Sequence, residues 1–257
     1  MTAAFQTVAK LEKLDHARRE STWKADMADR IEKTKEQLAK HHRDGKRFAQ
    51  LMKEGFDKRF DESFWALWRQ WIEPAYGAPA VVIDLGAGPG MFVKALTERF
   101  PGIRAFGIEC APWMLEAAEP LPPESGMVPE DLHDPKLPFA DGSVDAAMAS
   151  VVLHEMDQPV RLLQEVHRCM KPGGRLLVLD WVRAPLEVYL RQQTEEAKVF
   201  DRSMSVEELD DLFVHFMEHN RFSREDLVYL LNRTGFAVLD SQVTREGRYA
   251  RIVAERW

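Results

Sequence analysis

Cysteine is scarce in this chain: two residues in 257, Cys110 and Cys169. Two thiols cannot make a disulfide framework, and the first thirty residues hold no uninterrupted apolar core of the signal-peptide kind, so a reducing cytoplasm is the expected compartment. Long apolar runs are missing as well. The best candidate, Leu176 to Val182, has Asp180 inside it and falls short of the roughly 18 to 20 residues that cross a bilayer, which predicts a soluble protein with no membrane partner. Nor is there a surplus of basic charge. The formal net charge is -7, so no overall field draws in nucleic acid, and the composition weighs against such a partner. Proline does not occur before Pro74.

What is present divides the chain in two. The proline-free stretch has few β-branched residues and charges of both signs at helical spacing, the pattern of a helical segment. Phe5, Val8, Leu11 and Leu14 recur on one face, a second helix is predicted from about Trp23 to His41, and Gly45 and Gly55 offer breaks. The last element, SFWALWRQWI, carries Phe64, Trp65, Leu67, Trp68, Trp71 and Ile72 on more than one narrow stripe, which predicts burial over much of its circumference. Pro74 ends it.

From Ala80 short apolar strands alternate with helices. Strands are predicted at Ala80 to Leu85, Arg104 to Glu109, near Met127, at Asp145 to Val151 and at Arg175 to Trp181. Helices are predicted at Phe92 to Phe100, Pro112 to Ala118 and Pro159 to Met170, the last followed by a KPGG turn. This alternation means crossover units on a parallel sheet. Ser205 to His219 and Phe222 to Thr234 follow as helices, the second opened by a capping-box pattern from Ser223 to Asp226. FAVLDSQVT and YARIVAERW around REGR then read as a closing antiparallel hairpin. With 45% hydrophobic residues, a chain of this length fills a real core for one large domain or a domain with an added subdomain.

The stretch VVIDLGAGPG, Val81 to Gly90, marks the place to look for a ligand, since open parallel sheets bind at the carboxyl ends of their strands where strand order reverses. A dinucleotide fingerprint requires glycine at the first, third and sixth positions. Gly86 and Gly88 meet the first two, but Met91 stands at the sixth, and Asp84 precedes the first glycine by two residues. An acid at that position suits a cationic group better than a pyrophosphate.

With DLGAGPG the chain resembles the class I S-adenosylmethionine-dependent methyltransferases, especially the small-molecule group that includes the quinone and sterol methyltransferases. LPFADGSVD, ASVVLHEM and EVHRCMKPGGRLLVLDW continue the resemblance in order, from roughly Ala80 to Trp181. It implies an α/β, Rossmann-like seven-stranded sheet, mostly parallel, with a C-terminal antiparallel hairpin and an N-terminal helical extension. It implies S-adenosyl-L-methionine as cofactor: Asp84 for the turn and the amino group, Gly86, Gly88 and Gly90 for close approach, Glu109 for both ribose hydroxyls, and Asp131 with Leu132 for the adenine. Asp134 competes with Asp131 for the adenine contact. Cys110, Met114 and Ser150 complete the implied cofactor set, with Trp113 beside Met114 over an adenine face. His154 follows the fourth strand where it can face the transferred methyl group, as a base or as a positioning residue. Residues 1–73 then read as a lid or an oligomerisation segment, with a homodimer contact among its options. Residues 74–257 read as the methyltransferase domain, and 184–222 as a helical insertion near the acceptor site.

Other candidates have plainer readings. His215 and His219 have the i, i+4 spacing of a metal pair, but a third ligand is not evident, so a lid or partner-facing surface is the default and no metal is expected. Cys110 and Cys169 suit buried small residues better than nucleophiles. Asp180, Trp181 and Arg183 line an acceptor site or cap the sheet. The expected function is methyl transfer to a small-molecule acceptor. The alternatives are a tRNA or protein substrate, a non-catalytic scaffold, and a nicotinamide-dependent oxidoreductase, which Met91 and Asp84 oppose.

Overall fold

The computed structural model describes residues 44–156, 158–193 and 196–257. The predicted helical pattern of Phe5 to Leu14 and the helix from Trp23 to His41 lie outside the described residues. Seven strands form one sheet: β1 (Val81–Leu85), β2 (Arg104–Glu109), β3 (Gly126–Pro129), β4 (Val144–Ser150), β5 (Met170–Trp181), β6 (Phe236–Thr244) and β7 (Tyr249–Arg256). Their order is β3-β2-β1-β4-β5-β7-β6. β1, β2, β3, β4 and β5 pair in parallel, and β7 runs antiparallel between β5 and β6. The expected Rossmann-like sheet and closing hairpin are therefore present. The order reverses between β1 and β4, which opens the crevice at their carboxyl ends.

β1 has a core on both sides, the reason its sequence is a continuous apolar run. Val81, Ile83 and Leu85 join one hydrophobic cluster, with Ile108, Val178, Leu231 and Ile252. Val82 joins the other, with Trp65, Trp68, Phe92, Met148 and Val253. By the same two-residue period Asp84 lies on the face of Val82.

That second face is covered from the amino-terminal side. α1 (Gly45–Glu54), α2 (Phe56–Arg59) and α3 (Glu62–Trp71) lead into a 3₁₀ turn at Glu73–Ala75, and α4 (Met91–Arg99) leaves the glycine turn. Asp61 caps α3 by accepting from the Phe64 N–H. Trp65 stacks on Phe92, with ring centroids 5.6 Å apart and planes 12° apart. Trp68 donates its indole N–H to the Tyr76 hydroxyl at 2.7 Å. Phe64, Trp65, Trp68 and Ile72 are buried, whereas Ala66, Arg69 and Gln70 are exposed. The helix thus buries one broad face, less of its circumference than its aromatic content predicts.

Two features tie the far side of the sheet. Asp145, 1% exposed, accepts from the Gly77 and Val81 amides, each at 2.8 Å, and from Lys171 Nζ at 2.7 Å. The KPGG run, expected as a turn before the strand, lies inside β5. Helix α6 (Pro159–Cys169) ends one residue earlier than predicted, Met170 pairs with Val144, and Arg175 pairs with Ala146. Lys171 to Gly174 loop out between those pairs. Gly174 permits it, because a Cβ there would meet the Lys171 carbonyl oxygen at 2.8 Å.

After β5 come α7 (Leu186–Gln193), α8 (Glu196–Phe200), α9 (Val206–His219) and α10 (Arg224–Arg233). Ser205 with Glu208 and Ser223 with Asp226 form complete capping boxes, the latter as its sequence predicts.

Replacing Trp65 by Ala removes the ring that joins α3 to α4 and should cost about 3 to 5 kcal/mol of stability. Denaturant unfolding followed by far-ultraviolet circular dichroism measures it; a change below about 1 kcal/mol, one methylene's worth, would mean that α3 is not part of the core.

Candidate active site

The turn after β1 depends on glycine. Gly86, Gly88 and Gly90 have φ of 69°, 53° and 72°, the left-handed region that side chains disfavour. Space is short too: a Cβ on Gly86 would lie 2.8 Å from Val152, and one on Gly90 would lie 2.9 Å from Met127 Sδ. The Gly86 and Ala87 amides both donate to the Ile108 carbonyl at 3.0 Å, which folds the turn back over β2. Gly88 donates to Glu109 Oε2 at 2.9 Å, while Glu109 Oε1 accepts from the Cys110 and Ala111 amides at 2.8 Å each.

Around this turn lies a cavity of about 180 Å³. Its floor comes from the strand ends: Gly86, Gly88, Glu109, Cys110, Asp131 and Leu132. Ser150, Val151, Val152, Glu155 and Met156 contribute the side beyond β4. Met114, from α5 (Pro112–Glu116), joins the floor, while Phe48, Met52, Phe56, Arg59 and Phe60 form a wall from the amino-terminal helices. Trp113 does not line it. Its ring packs against Gly45 at the start of α1, where a Cβ would come within 2.5 Å of the indole.

The acids differ in their surroundings. Asp84 is 3% exposed, and its Oδ1 accepts no hydrogen bond from the described residues. Burial, reinforced by the charge of Glu109, raises its carboxyl well above the ordinary value against the opposing pull of Arg59. Burial also pushes Glu109 up to about 7, although three backbone amides pull the other way. Asp131 accepts from the His133 amide at 2.9 Å and lies 3.0 Å from its Nδ1. Asp134, the competing residue, is half-exposed and pairs with Arg161 at 3.1 Å, away from the cavity. Burial raises the Cys110 thiol, so it is not poised as a thiolate.

His154 is placed otherwise than the sequence suggests. It sits in a 3₁₀ turn, Leu153–Glu155, is 1% exposed, and is absent from the cavity lining, which takes its neighbour Glu155 instead. Its Nδ1 lies 2.6 Å from Asp180 Oδ1, and its Nε2 lies 4.0 Å from Glu155 Oε1. Asp180 also accepts from the Leu153 and Trp181 amides at 2.7 and 2.8 Å. Burial pushes the imidazole down, but the Asp180 charge and hydrogen bond, with Glu155 and Glu218, outweigh it and raise the net value. The carboxylate won the ring because a buried acid needs donors more than the cavity needs a histidine.

His215 and His219 do lie together, with ring centroids 4.0 Å apart. His215 Nδ1 is 2.5 Å from the Tyr189 hydroxyl, and His219 stacks on Trp181 while its Nδ1 meets Arg248 at 2.9 Å. The pair is thus part of the packing between α9 and the sheet. No group of three or more potential ligands gathers among the described residues. Asp180 and Trp181 belong to this packing, and Arg183 caps the chain through the Asn220 and Arg221 carbonyls. Sequence reasoning passed over Arg59 and Glu155 in the cavity wall. Arg59 lies outside every motif quoted above, and Glu155, though within ASVVLHEM, takes the place in the lining expected of its neighbour His154.

Comparison with known proteins fits this geometry. The family described as "Methyltransferase domain" matches residues 83–178. An uncharacterized methyltransferase of Mycolicibacterium gilvum is 39% identical over 100 residues, 39% of this chain and 38% of that one. The demethylmenaquinone methyltransferase of Thermus thermophilus is 34% identical over 110 residues, 42% of this chain and 50% of that one. The chain thus spans half or less of the length of these curated relatives. In fold it is similar to a chain of the complex between the Haloferax volcanii Trm112 methyltransferase activator and a methyltransferase, with a TM-score of 0.58 and 20% identity over 81% of this chain and 93% of that one. It is also similar to the [4+2]-cyclase SpnF, with a TM-score of 0.54 and 19% identity over 74% of this chain and 78% of that one. The glycine turn and the strand-end acids thus lie in the part of the chain, residues 83–178, that matches a methyltransferase domain, within a sheet of the order described above.

Proposed function

We propose that this protein transfers the methyl group of S-adenosylmethionine to a small-molecule acceptor, and that the cavity over the glycine turn is where it does so. The observation that carries the reading is convergence. Residues far apart in the chain, Gly86, Gly88, Glu109, Asp131 and Leu132, meet in one cavity at three strand ends. The donor set fits the cofactor: Asp84 has a buried acceptor oxygen without a donor, as a ligand ammonium requires. Glu109 lines the cavity, and its Oε2, which accepts from one amide where Oε1 accepts from two, keeps a lone pair for a ribose hydroxyl. Asp131 and Leu132 then border the base.

When bound, the sulfonium supplies the methyl group together with the driving force for its transfer. The chain's own part is orientation and exclusion of water. Phe48, Met52, Phe56 and Phe60 give the cavity an apolar wall, which supports the reading of residues 1–73 as a cover over the site and of the acceptor as a compact organic molecule. The quinone methyltransferases among the relatives support the same substrate class. Within residues 184–222, α9 meets His154 through His219, ring centroids 4.9 Å apart, and we assign the segment to the acceptor side. His154 acts as a positioning residue that fixes the turn bearing Glu155. Two cysteines and, among the described residues, no helix long and apolar enough to cross a membrane support a cytoplasmic location.

Glu109→Ala should weaken S-adenosylhomocysteine binding by about 2 to 3 kcal/mol, roughly 30- to 150-fold. Because ribose hydroxyls need the ionised carboxylate, wild-type affinity should rise with pH as Glu109 loses its proton near 7. Glu109→Gln should flatten that rise. Calorimetry across the pH series checks both, and an affinity indifferent to the substitution would remove Glu109 from the cofactor site.

His154→Ala leaves buried Asp180 without its cation and should lower stability by roughly 3 to 5 kcal/mol, with S-adenosylhomocysteine affinity of the folded variant retained. Since the folded imidazole value is raised, the loss is full below the ordinary histidine value and shrinks as pH climbs through the raised one. Thermal unfolding at several pH values measures it; a variant that melts like wild type throughout would show the pair to be without structural weight.

A further inference from the structure

The glycine turn has few backbone donors left for a ligand. The amides of Gly86 and Ala87 donate to Ile108, Gly88 donates to Glu109, Gly90 donates to Ala87, and Pro89 has no N–H. Yet the amino-acid end of S-adenosylmethionine carries two charges on one carbon, an ammonium and a carboxylate. Asp84 answers the first. The second needs a cation, and the cavity wall holds one.

Arg59 ends α2 and lines the cavity. It is half-buried and donates to Met52 alone among the described residues: to the carbonyl oxygen at 3.4 Å and the thioether sulfur at 3.2 Å. A desolvated guanidinium so weakly served is costly without an anion. Asp84 and Arg59 feel each other's charge, but no ion pair joins them within 4.0 Å among the described residues. Asp84 itself lies beneath the lining, but Arg59 shares the cavity with Gly86 and Gly88 of the turn that follows Asp84, so a zwitterion bound over the turn meets the guanidinium. Position is fixed as well: Phe60, next in the chain, packs its ring 5.1 Å from Phe92 on α4, the helix that leaves the glycine turn.

We infer that Arg59 binds the α-carboxylate of the cofactor, opposite Asp84, so that the amino-terminal helices complete the cofactor site and do not merely cover it. This rests on the reading of the cavity as an S-adenosylmethionine site. A guanidinium grips a carboxylate through two parallel N–H donors, a match that neither the family-matched segment nor the glycine turn supplies.

The experiment compares two probes by calorimetry, S-adenosylhomocysteine, which has the amino-acid tail, and 5′-methylthioadenosine, which lacks it. Arg59→Met should weaken the first roughly 10- to 100-fold and leave the second within about twofold. Arg59→Gln serves in its place if Arg59→Met does not fold, as judged by circular dichroism. Unchanged S-adenosylhomocysteine affinity overturns the inference and would leave Arg59 to the acceptor. Equal loss of both probes also overturns it, because the residue would then shape the wall without meeting the tail. If wild-type protein binds neither probe, the failure is that of the cofactor reading, which the control separates from the Arg59 result.

Discussion

Two carboxylates, Asp84 and Glu109, stand at neighbouring strand ends with no protein cation in an ion pair with either among the described residues. Charged groups so placed resist burial, and both are pushed upward, Glu109 to about 7. The rest of the site depends on keeping them there. The positive-φ turn lets the Gly88 amide reach Glu109, and the Gly86 and Ala87 amides tie the turn to Ile108 on β2. Burying acids without a matching cation costs stability, a cost that a cationic, hydroxyl-bearing ligand would offset under the proposed function.

The opposite half of the crevice handles its acid in another way. Asp180 is fully buried yet fully used, accepting from His154, Leu153 and Trp181. One carboxylate therefore joins the end of β5 to the turn after β4. Behind it His219 lies against Trp181, and Arg248 lies with its guanidinium carbon 4.4 Å from the ring centroids of Trp181 and Tyr189. These groups give Asp180 a full set of partners, where Asp84 keeps an oxygen without a donor among the described residues.

Similarity of fold does not decide activity here. A [4+2]-cyclase shares the sheet, and only the lining of the cavity can distinguish chemistries on one scaffold. The lining includes four phenylalanines, Phe48, Phe56, Phe60 and Phe92, from outside the strand ends. Three of these come from the amino-terminal helices, the part of the chain that the matched family does not cover.

The sequence by itself determined the sheet, its hairpin and the cofactor class. The strands and the hairpin follow from local rules, a two-residue period with turn residues between, while the cofactor class is what the resemblance carried by DLGAGPG implies. Even the Ser223 capping box and the REGR turn were legible, because their partners lie within a few residues. What only the tertiary structure decided were the contacts between distant segments. Asp145 reaches the Val81 amide across 64 positions, His154 turns to Asp180 and away from the cavity, Trp113 packs on Gly45, and Arg59 comes to the cavity wall. No periodicity encodes such pairings. They arise when packing, here Phe60 and Trp65 on Phe92, fixes which side of a short helix sees the crevice.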